Sequence, residues 1–317
     1  MDVLGDVLAV LRTGRPRAMV LGWDPPWAQE FAAVPGAMGF QVVLRGACWL
    51  LPPEGEAVPL SAGDVVFRPY GRAHALASSP AAEPAPCEPG GDERPAGTTV
   101  VTLCGAYETS QTHPLVLGLP EALRVRPTDE LRATVGLLAA EATEPRPGSS
   151  AVVPALLDTM LAHLLRQVLT GPLPLASSAP AGPLRDPVVA AALEAVHSDP
   201  ARGWTVASLA AEAGLSRAAF ARRFTAAAGL APLAYLTRWR MTLAARRLRE
   251  SDSTIAVVAR GVGYANEYAF STAFRRHHGV SPGRYRRQLR DAGAARELSG
   301  LSQAATGRRR CAGVCRP

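Results

Sequence analysis

The chain has 317 residues, 48% of them hydrophobic and 19% charged, which suits two globular domains and a linker. No apolar run approaches the roughly 18 residues of a membrane span, and MDVLGDVLAVLRTGR places acids ahead of its apolar stretch, the reverse of a secretory signal; a cytoplasmic protein with no membrane partner is expected. The net charge of +7 is uneven, with 22 basic and 9 acidic residues from Leu184 onward against 12 and 18 before it, as a nucleic-acid-binding rear joined to a separate front would give.

Residues 1–127 alternate short apolar runs with Gly and Pro. The segments 39–51 (GFQVVLRGACWLL), 63–70 (GDVVFRPY) and 98–107 (TTVVTLCGAY) read as strands joined by turns. The stretch 78–97, rich in Pro, Gly and Ala, reads as a loop within this β region. The cysteines are Cys48, Cys87, Cys104, Cys311 and Cys315, an odd count with irregular spacing that excludes a secreted disulfide framework.

From 128 to 170 the apolar period becomes helical. Leu156, Leu157, Met160, Leu161, Leu164, Leu165 and Val168 form one broad stripe. It suits either packing on its own domain or a coupling and dimerisation surface. Residues 171–185 have linker composition. A compact helical unit is expected over 186–288. The tail 289–317 has no apolar period, and its Cys311-x3-Cys315 offers too few thiols for a zinc site.

The helical unit contains one pattern twice. Thr205, Ala210, Gly214, Phe220, Phe224, Gly229, Pro232 and Tyr235 fall into register with Thr254, Ala259, Gly263, Phe270, Phe274, Gly279, Pro282 and Tyr285, with one extra residue after Gly263. Each copy reads as a helix–turn–helix, over about 205–224 and 254–276. Thr caps the first helix, a small Ala admits the second, Gly supplies a left-handed turn, and Ser216 or Asn266 caps the second helix. Phe at i and i+4 faces the core, and a polar, partly cationic face remains for a major groove. The segment 232–250 between the copies spans about 27 Å as a helix, enough to set two recognition helices one DNA turn apart.

On these segments, residues 186–288 resemble the DNA-binding domain of the AraC/XylS family of transcription regulators. The resemblance implies base-facing positions at Arg217, Ala218, Ala221 and Arg222 in the first recognition helix. In the second they are Glu267, Tyr268, Ser271 and Thr272, the last standing where Arg is common in the family. Arg223, Arg238, Arg275, Arg276 and Arg286 are the candidates for phosphate contacts. The implied partners are double-stranded DNA, a small-molecule effector and RNA polymerase, with a homodimer as an option; activation is the family's usual mode.

Gly63, Pro69, Gly71 and His74 fit the second motif of cupin barrels, G-x5-P-x-G-x2-H. The front therefore resembles the cupin-type ligand-binding domain of such regulators. The fold class expected is an α+β multidomain chain, with an N-terminal cupin-like β-barrel, appended helices and a C-terminal all-α double helix–turn–helix domain. The first cupin motif normally supplies two His and a Glu; here its segment offers Gln41 and Cys48. His74 alone falls short of the three protein ligands of a catalytic metal site, although Cys104 and His113 could join it in space. No catalytic residue, metal or cofactor is assigned. Gln41, Cys48, His74 and Cys104 remain effector or sensor candidates: His74 as barrel lining, effector contact or metal ligand, Cys48 and Cys104 as buried hydrophobes or oxidant-sensing thiols. A metal-dependent cupin enzyme fused to a DNA-binding unit is the alternative reading.

Overall fold

The structure, a computed structural model, describes residues 2–11, 16–34, 36–86, 98–108, 113–116, 119–171 and 183–291. The chain opens with a helix where strands were expected, α1 (Val3–Leu11). Val3, Val7, Val10 and Leu11 are buried along one side of it. Their spacing of four, seven and eight residues is helical, in contrast to the Gly- and Pro-broken apolar runs that follow.

Two compact units follow from the contacts. Among the described residues, a sheet unit takes 11–108 and 119–171, and a helical unit takes 2–10, 113–116 and 183–291. The grouping of 2–10 and 113–116 with the helices differs from a front domain running unbroken over 1–127. Side chains give the reason: Asp6 Oδ2 lies 2.9 Å from Nδ1 of the fully buried His197, and His113 lies in ring contact with His197 and Trp239.

Among the described residues the sheet unit has ten strands: β1 (Arg17–Trp23), β2 (Ala28–Phe31), β3 (Ala37–Arg45), β4 (Ala47–Leu51), β5 (Val58–Ser61), β6 (Val65–Arg68), β7 (His74–Ala77), β8 (Ala85–Pro86), β9 (Val100–Glu108) and β10 (Leu123–Val125). They form two five-stranded sheets, ordered β1-β9-β3-β6-β10 and β5-β4-β7-β2-β8. All pairings are antiparallel except β2 with β8. The run expected as one stretch over 39–51 is two strands, and the break is at Gly46. Its φ of 79° is left-handed, and a Cβ there would sit 2.6 Å from the Thr99 carbonyl oxygen, so only glycine lets the chain cross from one sheet to the other. Phe31, Val43, Cys48, Leu50, Leu60, Val66, Leu76, Val100 and Cys104 fill the space between the sheets.

Two helices complete this unit, α2 (Asp129–Thr143) and α3 (Ser149–Thr170). Thr128 caps α2 through the Leu131 amide. By length and composition alone α3 could cross a bilayer. Its apolar stripe is instead buried in its own unit: Leu157, Met160, Leu161, Leu164, Leu165, Val168 and Leu169 are all 3% exposed or less, and Leu156 is half-buried. The packing alternative for this stripe is therefore realised.

The helical unit continues with a short 3₁₀ turn at Pro183–Arg185, then α4 (Pro187–Ser198), α5 (Val206–Glu212), α6 (Arg217–Ala228), α7 (Pro232–Glu250), α8 (Ile255–Gly261), α9 (Glu267–His278) and a last helix, α10, over 282–291. Helix α10 runs past the expected boundary at 288. The linker residues 172–182, the tail 292–317 and Cys87, Cys311 and Cys315 lie outside the described residues.

Candidate nucleic-acid interface and sensor cavity

The sequence repeat is a structural repeat. Thr205 Oγ1 accepts from the Ser208 amide, with Ser208 Oγ accepting in return from the Thr205 amide, so α5 starts with a full capping box. Thr254 accepts from the Val257 amide at the start of α8. Ser216 and Asn266 cap α6 and α9 by accepting from Ala219 and Ala269. The paired rings repeat as well. Phe220 and Phe224 lie 5.7 Å apart, Phe270 and Phe274 5.6 Å, and Phe224–Tyr235 and Phe274–Tyr285 meet edge to face at 73° and 75°. Each recognition helix is thus seated by the same aromatic trio, and Gly229 and Gly279 end both helices with φ of 70° and 74°.

Burying those rings fixes what faces outward. Arg217, Ala218 and Arg222 on α6 are exposed, and Ala221 is half-buried. On α9, Glu267, Tyr268 and Thr272 are exposed, Ser271 is half-buried, and Tyr268 is 84% exposed. An exposed ring of that size on a capped helix offers an apolar surface to a base edge. Among the described residues, Arg217, Arg222, Arg275 and Arg276 have no hydrogen-bonded or ion-paired partner.

The other cations expected at phosphates are engaged differently. Arg223 Nε lies 2.5 Å from Asp186 Oδ2, the residue that caps α4 through the Val188 and Val189 amides. The half-buried Arg286 donates to the Ser253 carbonyl, tying α10 to the start of the second module. Arg238 is half-buried on α7, and its charge helps burial hold the His277 imidazole below its ordinary pKa.

In the sheet unit Gly71 and His74 of the cupin motif line one cavity of about 60 Å³. Asp64 turns the chain by accepting from the Ser61 amide and gripping Arg124 through both carboxylate oxygens, at 2.9 and 2.7 Å. All four residues of β6 are buried. Gly71, at φ of 56°, then brings His74 to the start of β7, where its ring stacks on Phe31 at 4.9 Å and 14°. Gln41, on β3 of the other sheet, reaches His74 at 2.5 Å. Gln41, His74 and Cys104 all line the cavity; Cys48 lies in the adjacent apolar core.

Arg68 is the residue that sequence reasoning missed. It is 6% exposed, lines the cavity, and donates to the Arg72 and Ala73 carbonyls and to His74 Nδ1. The available signal was an arginine at the end of an apolar strand, where a charge is rare without a purpose. Burial lowers its pKa to about 10, which still leaves it charged near neutrality. Burial, followed by the Arg68 charge, pushes His74 down to about 3, so its ring is neutral.

Cys48 and Cys104 are both buried, free thiols. Burial pushes Cys48 up to about 11 and Cys104 up to about 12. Burial thus acts against the thiolate form at both. No group of three His, Cys, Asp or Glu that could hold a metal occurs among the described residues. His113 is buried in the helical unit, against His197 and Trp239, while His74 belongs to the sheet unit.

A duplicated, capped helix–turn–helix with cationic outer faces, joined to a hollow β-sandwich, defines a DNA-binding regulator with an attached sensing fold. Comparison with known proteins agrees. A cupin family matches residues 2–170, and a helix-turn-helix domain family matches 209–288. The chain is 38% identical to an AraC-like transcription regulator of Streptomyces lividans, over 90% of this chain and 98% of that one. It is 30% identical to the RCS-specific HTH-type transcriptional activator RclR of Escherichia coli, over 86% and 91% of the two chains. Among solved structures, the DNA-binding domain of AdpA in complex with a target DNA is 40% identical, covering 35% of this chain and 95% of that one, with a TM-score of 0.31. The chain belongs to the AraC-like transcription regulators, with a cupin front and a helix-turn-helix rear. Its relatives are named as regulators of transcription, and none of those named here as an enzyme.

Proposed function

We propose that this regulator activates transcription when a small molecule enters the cavity between its sheets. Helices α6 and α9 read base edges through Arg217, Ala218, Ala221, Arg222, Glu267, Tyr268, Ser271 and Thr272. Arg238, Arg275, Arg276 and Arg286 hold phosphates, and Arg223 does so only by leaving Asp186. Effector binding acts on the DNA-bound state through α2 and α3, by subunit pairing or by reorienting the helical unit, and the bound protein recruits RNA polymerase in the cytoplasm. The activator name of the Escherichia coli relative supports the sign of regulation.

The single observation behind the sensing half is the convergence of Gln41, Arg68 and His74 on a mostly apolar cavity. A few placed polar groups in an apolar hollow are the usual anatomy of a small-molecule site. The test is mapping of bound DNA in cells with the full chain and with Ala106→Leu, which fills the cavity from its lining. Both proteins should occupy the same sites, and only the parent should change transcription of the neighbouring genes when growth conditions change. Identical responses from both would overturn the sensing role while leaving DNA recognition intact.

A further inference from the structure

The polar corner of the cavity holds an imbalance. Among the described residues, Arg68 is a buried cation whose partners are all neutral: two backbone carbonyls and a ring nitrogen. Glu121, whose charge it feels, is ion-paired with Arg72 at 2.9 Å instead. A buried charge without a counter-charge is costly, and the cost falls sharply when an anion is supplied.

The second imbalance lies in Gln41, which is 5% exposed. One end of its amide faces His74 Nε2 at 2.5 Å, and the other end is buried with no partner among the described residues. A guanidinium only donates, so His74 must accept from Arg68; it does so on Nδ1, the nearer nitrogen, Nε2 lying 3.2 Å away. A neutral imidazole that accepts on Nδ1 carries its proton on Nε2. The Gln41 atom facing it is therefore the oxygen, and the unpartnered end is the NH₂ group. The chain Arg68–His74–Gln41 thus leaves an unused donor in the lining beside an uncompensated cation.

We infer, resting on the cavity as the effector site, that the ligand is a small carboxylate. Its oxygens meet Arg68 and the Gln41 amide, and its short apolar tail lies against Phe31 and Phe40. The cavity of about 60 Å³ holds roughly four to six water-sized groups, the size of propionate or butyrate. A longer acid would have to open the lining.

The experiment is calorimetric titration of the full chain with propionate, butyrate, propionamide and inorganic phosphate, at fixed ionic strength and neutral pH. Propionate and butyrate should bind, and propionamide, of the same shape without the charge, at least tenfold more weakly. Gln41→Glu gives Arg68 an internal carboxylate; it should melt higher than the parent without ligand and lose at least tenfold in propionate affinity. Arg68→Met should lose the preference for acid over amide. Equal binding of propionate and propionamide, tighter binding of phosphate, or undiminished propionate binding by Gln41→Glu would overturn the assignment. So would silence from both carboxylates at 20 mM, a ceiling of roughly 2 kcal/mol of affinity. Should propionamide bind as well as propionate, with Ala106→Leu abolishing both, the sensing role would stand and only the carboxylate preference would fall.

Discussion

His74 shows how one side chain ties burial to a measurable pH response. Its imidazole is held at about 3 by burial and by Arg68, whereas in the unfolded chain it titrates near 6.5. Above pH 6.5 neither state carries the proton, and the contribution to stability is complete. As the pH falls toward 3, the unfolded chain takes up a proton that the folded one refuses, so stability declines by up to about 1.4 kcal/mol per pH unit. His278, pushed down to about 4 by burial, acts in the same direction. Melting temperature should therefore drop between pH 7 and pH 5, and less so in Arg68→Met; a flat profile would contradict a neutral, buried His74. The thiols give a second check. With Cys104 pushed up to about 12, its thiolate is a minute fraction at pH 8. Iodoacetamide should label Cys48 and Cys104 at least ~100-fold more slowly in native than in denatured protein, read peptide by peptide in a mass spectrometer. Rapid native labelling of Cys104 would restore it as a redox candidate. On the DNA side, Arg222→Ala should cost roughly 1–3 kcal/mol at one base pair and relax preference there; unchanged affinity and preference would remove Arg222 from the readout.

At the scale of elements, the tandem modules were legible because their constraints are local. Thr caps, hinge glycines and phenylalanines four apart are each a rule about neighbouring residues, and Thr205, Gly214, Phe220 and Phe224 stand in the structure as that register implies. The cavity was only half legible. His74 and Gln41 could be placed from the cupin motif, but Arg68 pairs with them across a turn and across strands, and strand-to-strand register is non-local. Helix α1 was overlooked because a nine-residue helix carries few turns of pattern. The repeat also conceals an asymmetry. Gly214 and Gly263 both adopt positive φ, of 64° and 82°, yet a Cβ on Gly214 meets nothing within 4 Å, while one on Gly263 would lie 2.7 Å from the Ala201 carbonyl oxygen. Gly214→Ala should cost about 1–2 kcal/mol from backbone strain alone. Gly263→Ala adds a collision with main chain and should cost clearly more. Denaturation of the two full-length variants checks the order; equal losses would mean that the second hinge relaxes freely.

For the whole molecule, the distribution of charge predicts how binding depends on salt. Each phosphate neutralised steepens the fall of log affinity with log salt by about 0.9. Arg275→Ala and Arg276→Ala should each flatten that slope by about one, uniformly across DNA sequences. Arg223→Ala should flatten it less, because its guanidinium is already committed to Asp186. Equal slopes for all three would show that the Arg223 pair opens on DNA.

Assembly of the helical unit from three separate stretches carries a further consequence, for synthesis. The amino-terminal residues leave the ribosome first, but His197 and Tyr235, the groups that Asp6 and its neighbours complete, are made well over a hundred residues later. Until those residues emerge, Asp6 has no His197 to meet. A fragment cut to the rear third for convenience would carry His197 without its carboxylate, so the DNA-binding half is best expressed with residues 2–10 attached.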